Sequence, residues 1–110
     1  MNFIEYQKLC VVTKKPWAAQ EGELADCGLG IAGEAGEVAD IIKKHLSGSK
    51  PLDAEGLRDL QYELGDVMWY IASLCDCLGF DMSKVAELNI AKLRKRHGES
   101  FSGYGKRGGH

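Results

Sequence analysis

Apolar residues recur along the chain at spacings of three and four, the period of an amphipathic α-helix. No segment alternates convincingly between apolar and polar residues, so the pattern predicts no β-strand. It predicts an all-α protein of four helices joined by short connections. In the two longest stretches the periodic positions are Leu24, Cys27, Ile31, Ala35, Val38, Ile42 and Leu46, and then Leu57, Leu60, Leu64, Val67, Ile71, Leu74 and Leu78.

Two prolines and two capping residues set the boundaries of the first three helices. Pro16 and Pro51 fall between the periodic stretches, where they end helices without interrupting them. Asn2 is a candidate N-cap for a first helix over about Phe3 to Thr13. A long second helix follows Pro16, and Asp53 is the candidate cap of the third.

The third and fourth helices meet at a glycine. The third helix is predicted over residues 54–78, and Gly79 suits its C-terminal cap. The fourth helix is expected to begin at Asp81 or Ser83 and to run to about residue 97.

Length and composition indicate one small domain. The chain has 110 residues, 45% of them hydrophobic and 27% charged, as is typical of a globular protein. Residues 1–97 are predicted to form the helical domain, and residues 98–110, with five glycines, a flexible C-terminal tail. Because so small a domain leaves much of its surface exposed, we expect homo-oligomerisation to complete the bundle.

Charge and cysteine usage exclude several classes of function. A formal net charge of -2 argues against binding nucleic acid or a membrane surface by bulk attraction. No stretch of about 18 apolar residues is present to span a membrane, and no signal sequence is evident. The four cysteines form no CxxC pair, so reduced thiols in a cytoplasmic protein are expected and a zinc site is not.

Each long helix carries a pair of acidic residues three positions apart. The pairs are Glu34 with Glu37 and Glu63 with Asp66. A helical wheel of about 100° per residue places both pairs inside the apolar stripe of their helix. Because buried carboxylates raise one another's pKa and are costly without positive charge, a cation is expected among them.

Two kinds of cation satisfy this requirement. Four oxygen donors without histidine favour magnesium, or manganese in its place, over zinc or copper. A ferritin-like di-iron site requires Glu-x-x-His, which neither helix contains. The alternative is a groove neutralised by basic side chains of a neighbouring helix, and the sequence leaves it open.

The fourth helix offers such basic side chains. Asn89, Lys92 and Arg96 share its apolar face on the wheel, so we expect them to point inward. They are suited to neutralise the acids or to bind a polyanion held by an acid-bound metal. Acids, metal and cations together indicate phosphate-ester chemistry, in which Glu34 or Glu37 accepts the proton of an attacking water.

Three blocks of sequence resemble a known family. GLGIAGEAGEVADIIKK (28–44), YELGDVMWYIA (62–72) and NIAKLRKRHG (89–98) are similar to the MazG-like, all-α nucleoside triphosphate pyrophosphohydrolases. The resemblance implies a MazG-like bundle that hydrolyses a nucleoside or deoxynucleoside triphosphate to the monophosphate and pyrophosphate with magnesium. It also implies a homodimer or homotetramer. The implied metal ligands are Glu34, Glu37, Glu63 and Asp66, and the implied phosphate-binding residues are Asn89, Lys92 and Arg96.

Base recognition and the exact reaction stay open at this point. Tyr70 lies one turn beyond Asp66, so its ring is placed either to stack on a base or to pack in the core. Trp17 and Trp69 are candidates by aromatic character alone. Phosphoribosyl-ATP pyrophosphohydrolase is an alternative activity, and a non-catalytic nucleotide-binding regulator is an alternative of another class.

Overall fold

The structure, a computed structural model, describes residues 1–98. They form four α-helices and no strand, which confirms the predicted all-α class. Apart from Gly98, the predicted tail lies outside the described residues. None of the described helices has the length and apolarity needed to cross a bilayer. The helices are α1 (Phe3–Val12), α2 (Gln20–Leu46), α3 (Ala54–Leu78) and α4 (Met82–His97).

The predicted capping residues begin and end these helices. A side-chain oxygen at three N-caps accepts a hydrogen bond from a free backbone N–H of the first turn, which stabilises each helix start. At the C-terminal end of α3, Gly79 adopts a left-handed conformation with φ of 72°, which a side chain would strain. The N-caps are Asn2, Asp53 and Asp81, and their donors are the N–H groups of Glu5, Gly56 and Ser83.

Helices α2 and α3 form an antiparallel pair that contains the acidic residues, and their approach depends on one glycine. Gly30 of α2 faces the ring of Tyr70 on α3 so closely that a Cβ atom at this position would overlap the ring. One turn further along the pair, the Cys27 thiol lies 3.4 Å from the Ser73 hydroxyl. Both side chains are buried, so the contact is closely packed at this point.

Helix α1 packs across α3, and α4 packs on α1. Gln7 of α1 fixes the turn between α3 and α4, because its Nε2 donates to the Phe80 carbonyl and its Oε1 accepts from the Met82 N–H, both at 2.8 Å. The small core consists of Cys10, Ala72, Cys75 and Met82.

Within one chain the four helices do not close around a common core. Outside its first turn, α4 leaves much of its apolar surface uncovered, and Leu88 is 59% exposed. Ile90 is exposed as well. The four cysteines are free thiols, as expected.

We predict that Gly30→Ala destabilises the protein, because the added methyl group forces the Tyr70 ring or the helix apart. The expected cost is about 1–3 kcal/mol, measured by urea unfolding. Gly28→Ala is the matched control, since a Cβ there meets nothing. It should stabilise α2 by about 0.5–1 kcal/mol.

A double-mutant cycle with Tyr70→Ala tests the cause. Removing the ring should abolish the cost of Gly30→Ala. An unchanged cost in the Tyr70→Ala background would contradict the proposed contact.

Candidate functional site

Three of the four predicted acidic residues meet between α2 and α3. Glu34, Glu63 and Asp66 each offer a carboxylate oxygen, and these oxygens all lie within 4.8 Å of one another. Glu34 and Glu63 are half-buried, whereas Asp66 is exposed. Three oxygen donors at this separation match the preference of magnesium or manganese for carboxylates.

The negative charges of this cluster act on Glu63. A hydrogen bond with Glu34 raises the pKa of Glu63, and burial and the charges of Glu34, Asp66 and Glu37 raise it further. Carboxylates held this close repel one another. The cluster therefore favours a nearby positive charge, and a divalent ion supplies a larger charge than a proton does.

The structure corrects the expectation that all four acids lie in a dry crevice. Glu37 is exposed and lies outside the cluster. It lies about 60° around the helix from Glu34, and α3 covers only one side of α2. Its charge nevertheless contributes to the raised pKa of Glu63.

The structure also corrects the predicted inward orientation of the basic row on α4. Asn89, Lys92 and Arg96 are exposed. The reason is that α4 joins the core through Met82 in its first turn, and the basic row lies about two to four turns further along the helix. One chain therefore does not bring these three residues to the acidic cluster.

Tyr70 lies beside the acids, where the sequence predicted it. Its half-buried ring rests on Gly30 and makes an edge-to-face contact with Trp69, with ring centroids 5.1 Å apart. Burial raises the pKa of Tyr70, and so do the charges of Asp26 and Glu34. Tyr70 thus connects the acidic cluster to the next part of the surface.

That part is a pocket of about 290 Å³ between the α1–α2 connection and α3. This volume is at the small end of the range of ligand sites, about 300–1,000 Å³. Aromatic side chains and one carboxylate form much of its wall. Its lining residues are Thr13, Lys14, Lys15, Trp17, Asp26, Trp69, Tyr70 and Ser73.

The aromatic walls of the pocket are held by specific contacts. The Trp69 indole N–H donates to the Thr13 hydroxyl at 2.7 Å. The Trp17 ring lies beside Gly22, where an added Cβ would come within 3.3 Å of it, and the Lys15 ammonium lies 4.3 Å from the centre of the Trp17 ring. These contacts position the rings before any ligand arrives.

Lys14 ties the connection to the helix pair. Its ammonium forms ion pairs with Glu23 and with Asp76, the latter at 2.7 Å, and donates to the Ser73 carbonyl. Burial lowers the pKa of Lys14, but the hydrogen bonds to Asp76 and Glu23 outweigh burial, so the pKa is raised overall. Lys14 is therefore a charged structural residue, and the sequence analysis missed it because Lys-Lys-Pro resembles an ordinary solvated turn.

Comparison with known proteins shows the family of the chain. Residues 20–101 match the family model described as the MazG nucleotide pyrophosphohydrolase domain. The chain belongs to this family. The matched stretch contains Glu34, Glu37, Glu63 and Asp66, together with Tyr70 and the basic row of α4. The first helix and the α1–α2 connection up to Pro16 and Trp17 precede it.

The MazG domain is also similar to a phage protein. It is 45% identical over 69 residues to the Gene 37 protein of Mycobacterium phage L5, which is 62% of this chain and 60% of the phage protein. The chain thus spans about 60% of the length of the relative it matches. No solved structure matches the chain.

We predict that magnesium stabilises the MazG domain through the acidic cluster. An ion at ten times its dissociation constant adds RT ln 11, about 1.4 kcal/mol, or about 6–11 °C in Tm. Glu63→Gln should abolish this rise in a thermal-shift titration. Glu87→Gln is the control, because its partner Lys84 lies 3.8 Å away on an exposed face and such pairs contribute little.

The raised pKa of Glu63 also predicts the direction in which Glu63→Gln changes the stability of the metal-free protein. A folded-state pKa above the ordinary 4.5 stabilises the fold below that value, and this stability is lost as pH rises through the raised pKa. Metal-free Glu63→Gln should therefore have a higher Tm than the unmodified protein at pH 7. An equal magnesium response in both proteins would contradict the assignment.

Proposed function

We propose that this MazG domain hydrolyses a nucleoside or deoxynucleoside triphosphate to the monophosphate and pyrophosphate, with magnesium or with manganese in its place. The observation that supports it best is the convergence of three carboxylates from two helices, in a chain of a pyrophosphohydrolase family. The four free thiols suit a reducing cytoplasm, where we place the reaction.

In this proposal the acids divide into ligands and a base. Glu34, Glu63 and Asp66 hold the ion, which supplies charge stabilisation to the phosphate oxygens when bound. Glu37 is the fourth acid of the set, and it is exposed beside the cluster. Glu37 is therefore available, as a general base or as a further ligand, and we assign it the proton of the attacking water. Water adds to the α-phosphorus, and the bond from that phosphorus to the bridging oxygen breaks, so that pyrophosphate leaves.

The base of the substrate is proposed to occupy the aromatic pocket. Tyr70 lines this pocket, and its ring packs on Gly30, one turn along α2 from Glu34 of the acidic cluster. Because the sugar separates the α-phosphate from the base, a pocket one to two turns from the ion is where the base would lie. Stacking on Tyr70 or on the fixed tryptophan rings suits any base.

The phosphate-binding row is proposed to act between copies. Asn89, Lys92 and Arg96 are exposed. Their helix α4 packs on α1, whereas the acids of the same chain lie on α2 and α3. We propose a homodimer or homotetramer in which α4 of one copy faces the acidic cluster of another and covers apolar residues such as Leu88.

A product-resolved assay with a panel of NTPs, dNTPs and phosphoribosyl-ATP tests the reaction. We expect magnesium-dependent release of pyrophosphate, and Glu37→Gln should lower kcat by about 10²- to 10⁴-fold. That variant should retain its magnesium-induced rise in Tm, and Glu21→Gln at the start of α2 should leave kcat unchanged.

Three results would contradict the proposal. Release of orthophosphate without pyrophosphate would refute the bond assignment. Full activity in Glu37→Gln would refute its role as base. Tight triphosphate binding by calorimetry without any turnover would instead support a nucleotide-binding regulator.

The basic row is tested with Lys92→Ala and Arg96→Ala. Loss of a charged hydrogen bond costs about 1.5–3 kcal/mol, so kcat/KM should fall by about 10- to 150-fold while the magnesium-induced rise in Tm persists. Lys95→Ala, on another side of α4, is the control.

Mixing two inactive variants tests whether the site is shared. If α4 acts on another copy, Arg96→Ala mixed with Glu37→Gln should regain part of the activity, because some sites then contain both intact groups. If no activity returns after subunit exchange, Arg96 and Glu37 of one site belong to the same chain.

A further inference from the structure

The pocket beside Tyr70 contains one polar group that the fold does not use. Asp26 lines the pocket, and its carboxylate forms no hydrogen bond or ion pair with any residue in 1–98. The neighbouring polar side chains are occupied. Thr13 accepts from Trp69, Lys14 pairs with Glu23 and Asp76, and the Ser73 hydroxyl contacts the Cys27 thiol.

The position of Asp26 relates it to the reacting end of the site. Asp26, Gly30 and Glu34 follow one another at intervals of four along α2, so Asp26 lies about 12 Å along the helix axis from Glu34. The Tyr70 ring packs on Gly30, which lies between these two acids along α2. Burial raises the pKa of Tyr70, and so do the charges of both acids. A nucleotide with its α-phosphate at Glu34 would extend its base toward Asp26.

The chemistry of a carboxylate restricts which base it favours. An ionised carboxylate only accepts hydrogen bonds, so it pairs with the exocyclic amino group of cytosine, adenine or guanine. Uracil and thymine offer only the ring N3–H on this edge, and the two carbonyl oxygens beside it repel a carboxylate. The opposite pocket wall, residues 13–17, precedes the stretch that matches the family, so membership of the family does not fix this preference.

We infer that Asp26 is a specificity-determining residue that selects triphosphates whose base carries an exocyclic amino group. This inference rests on the proposed function, since it assigns the base end of the same substrate. Asp26 accepts a hydrogen bond from the amino group while the fixed aromatic rings hold the plane of the base.

Matched substrate pairs test the inference, because dCTP differs from dUTP, and ATP from ITP, only in the exchange of an amino group for a carbonyl and of the adjacent ring nitrogen for an N–H. The unmodified protein should prefer the amino member of each pair in kcat/KM by about 10- to 150-fold, the equivalent of one charged hydrogen bond. Asp26→Asn, whose amide both donates and accepts, should bring both ratios close to one. Asp59→Asn, on α3 away from this pocket, should leave them unchanged.

The outcomes separate this inference from the proposed function. Pyrophosphate release with no preference within the pairs, or a preference that survives in Asp26→Asn, overturns the role of Asp26 and leaves the reaction standing. Absence of turnover with every triphosphate overturns the reaction instead. In that case calorimetry with the monophosphates dCMP and dUMP still decides, since equal affinities for the two overturn the inference and tighter binding of dCMP, lost in Asp26→Asn, supports it.

Discussion

Repulsion among carboxylates that the α2–α3 contact forces together is the constraint on which the site depends. Gly30 lets α2 approach the Tyr70 ring of α3, and one turn away the same approach brings Glu34 to Glu63 and Asp66. Without a cation, the hydrogen bond with Glu34 and the neighbouring negative charges raise the pKa of Glu63. The packing of two helices thereby creates an affinity for positive charge.

Acidic side chains at the two ends of the α2–α3 pair differ in whether they have a basic partner. At one end, Glu23 and Asp76 share the ammonium group of Lys14, which anchors the α1–α2 connection. At the other end, no ion pair described in residues 1–98 involves the three clustered carboxylates. Glu23 and Asp76 thus have a basic partner within the chain, whereas the cluster is left to bind a cation from outside.

Local signals predicted much of the fold. Asn2, Asp53 and Gly79 act over a few residues, so a sequence pattern is sufficient to place the helix ends they form. The convergence of Glu34 with Glu63 was also predictable, since both lie in apolar stripes of long neighbouring helices.

The remaining features depend on which helix covers which face, and a helical wheel does not contain that information. The wheel placed Lys92 and Arg96 inward, but α4 packs on α1 through its first turn, so both are exposed. Glu37 lies at the edge of its stripe, beyond the cover of α3. The sequence pattern did not identify Asp26, because the role of a polar residue at the edge of a helix face depends on the loop that packs beside it.

Anomalous diffraction from crystals grown with manganese is the most direct measurement of the central claim. The account predicts one or more anomalous peaks about 2.1 Å from oxygens of Glu34, Glu63 and Asp66. Manganese bound elsewhere, with these carboxylates pointing into solvent, would contradict it.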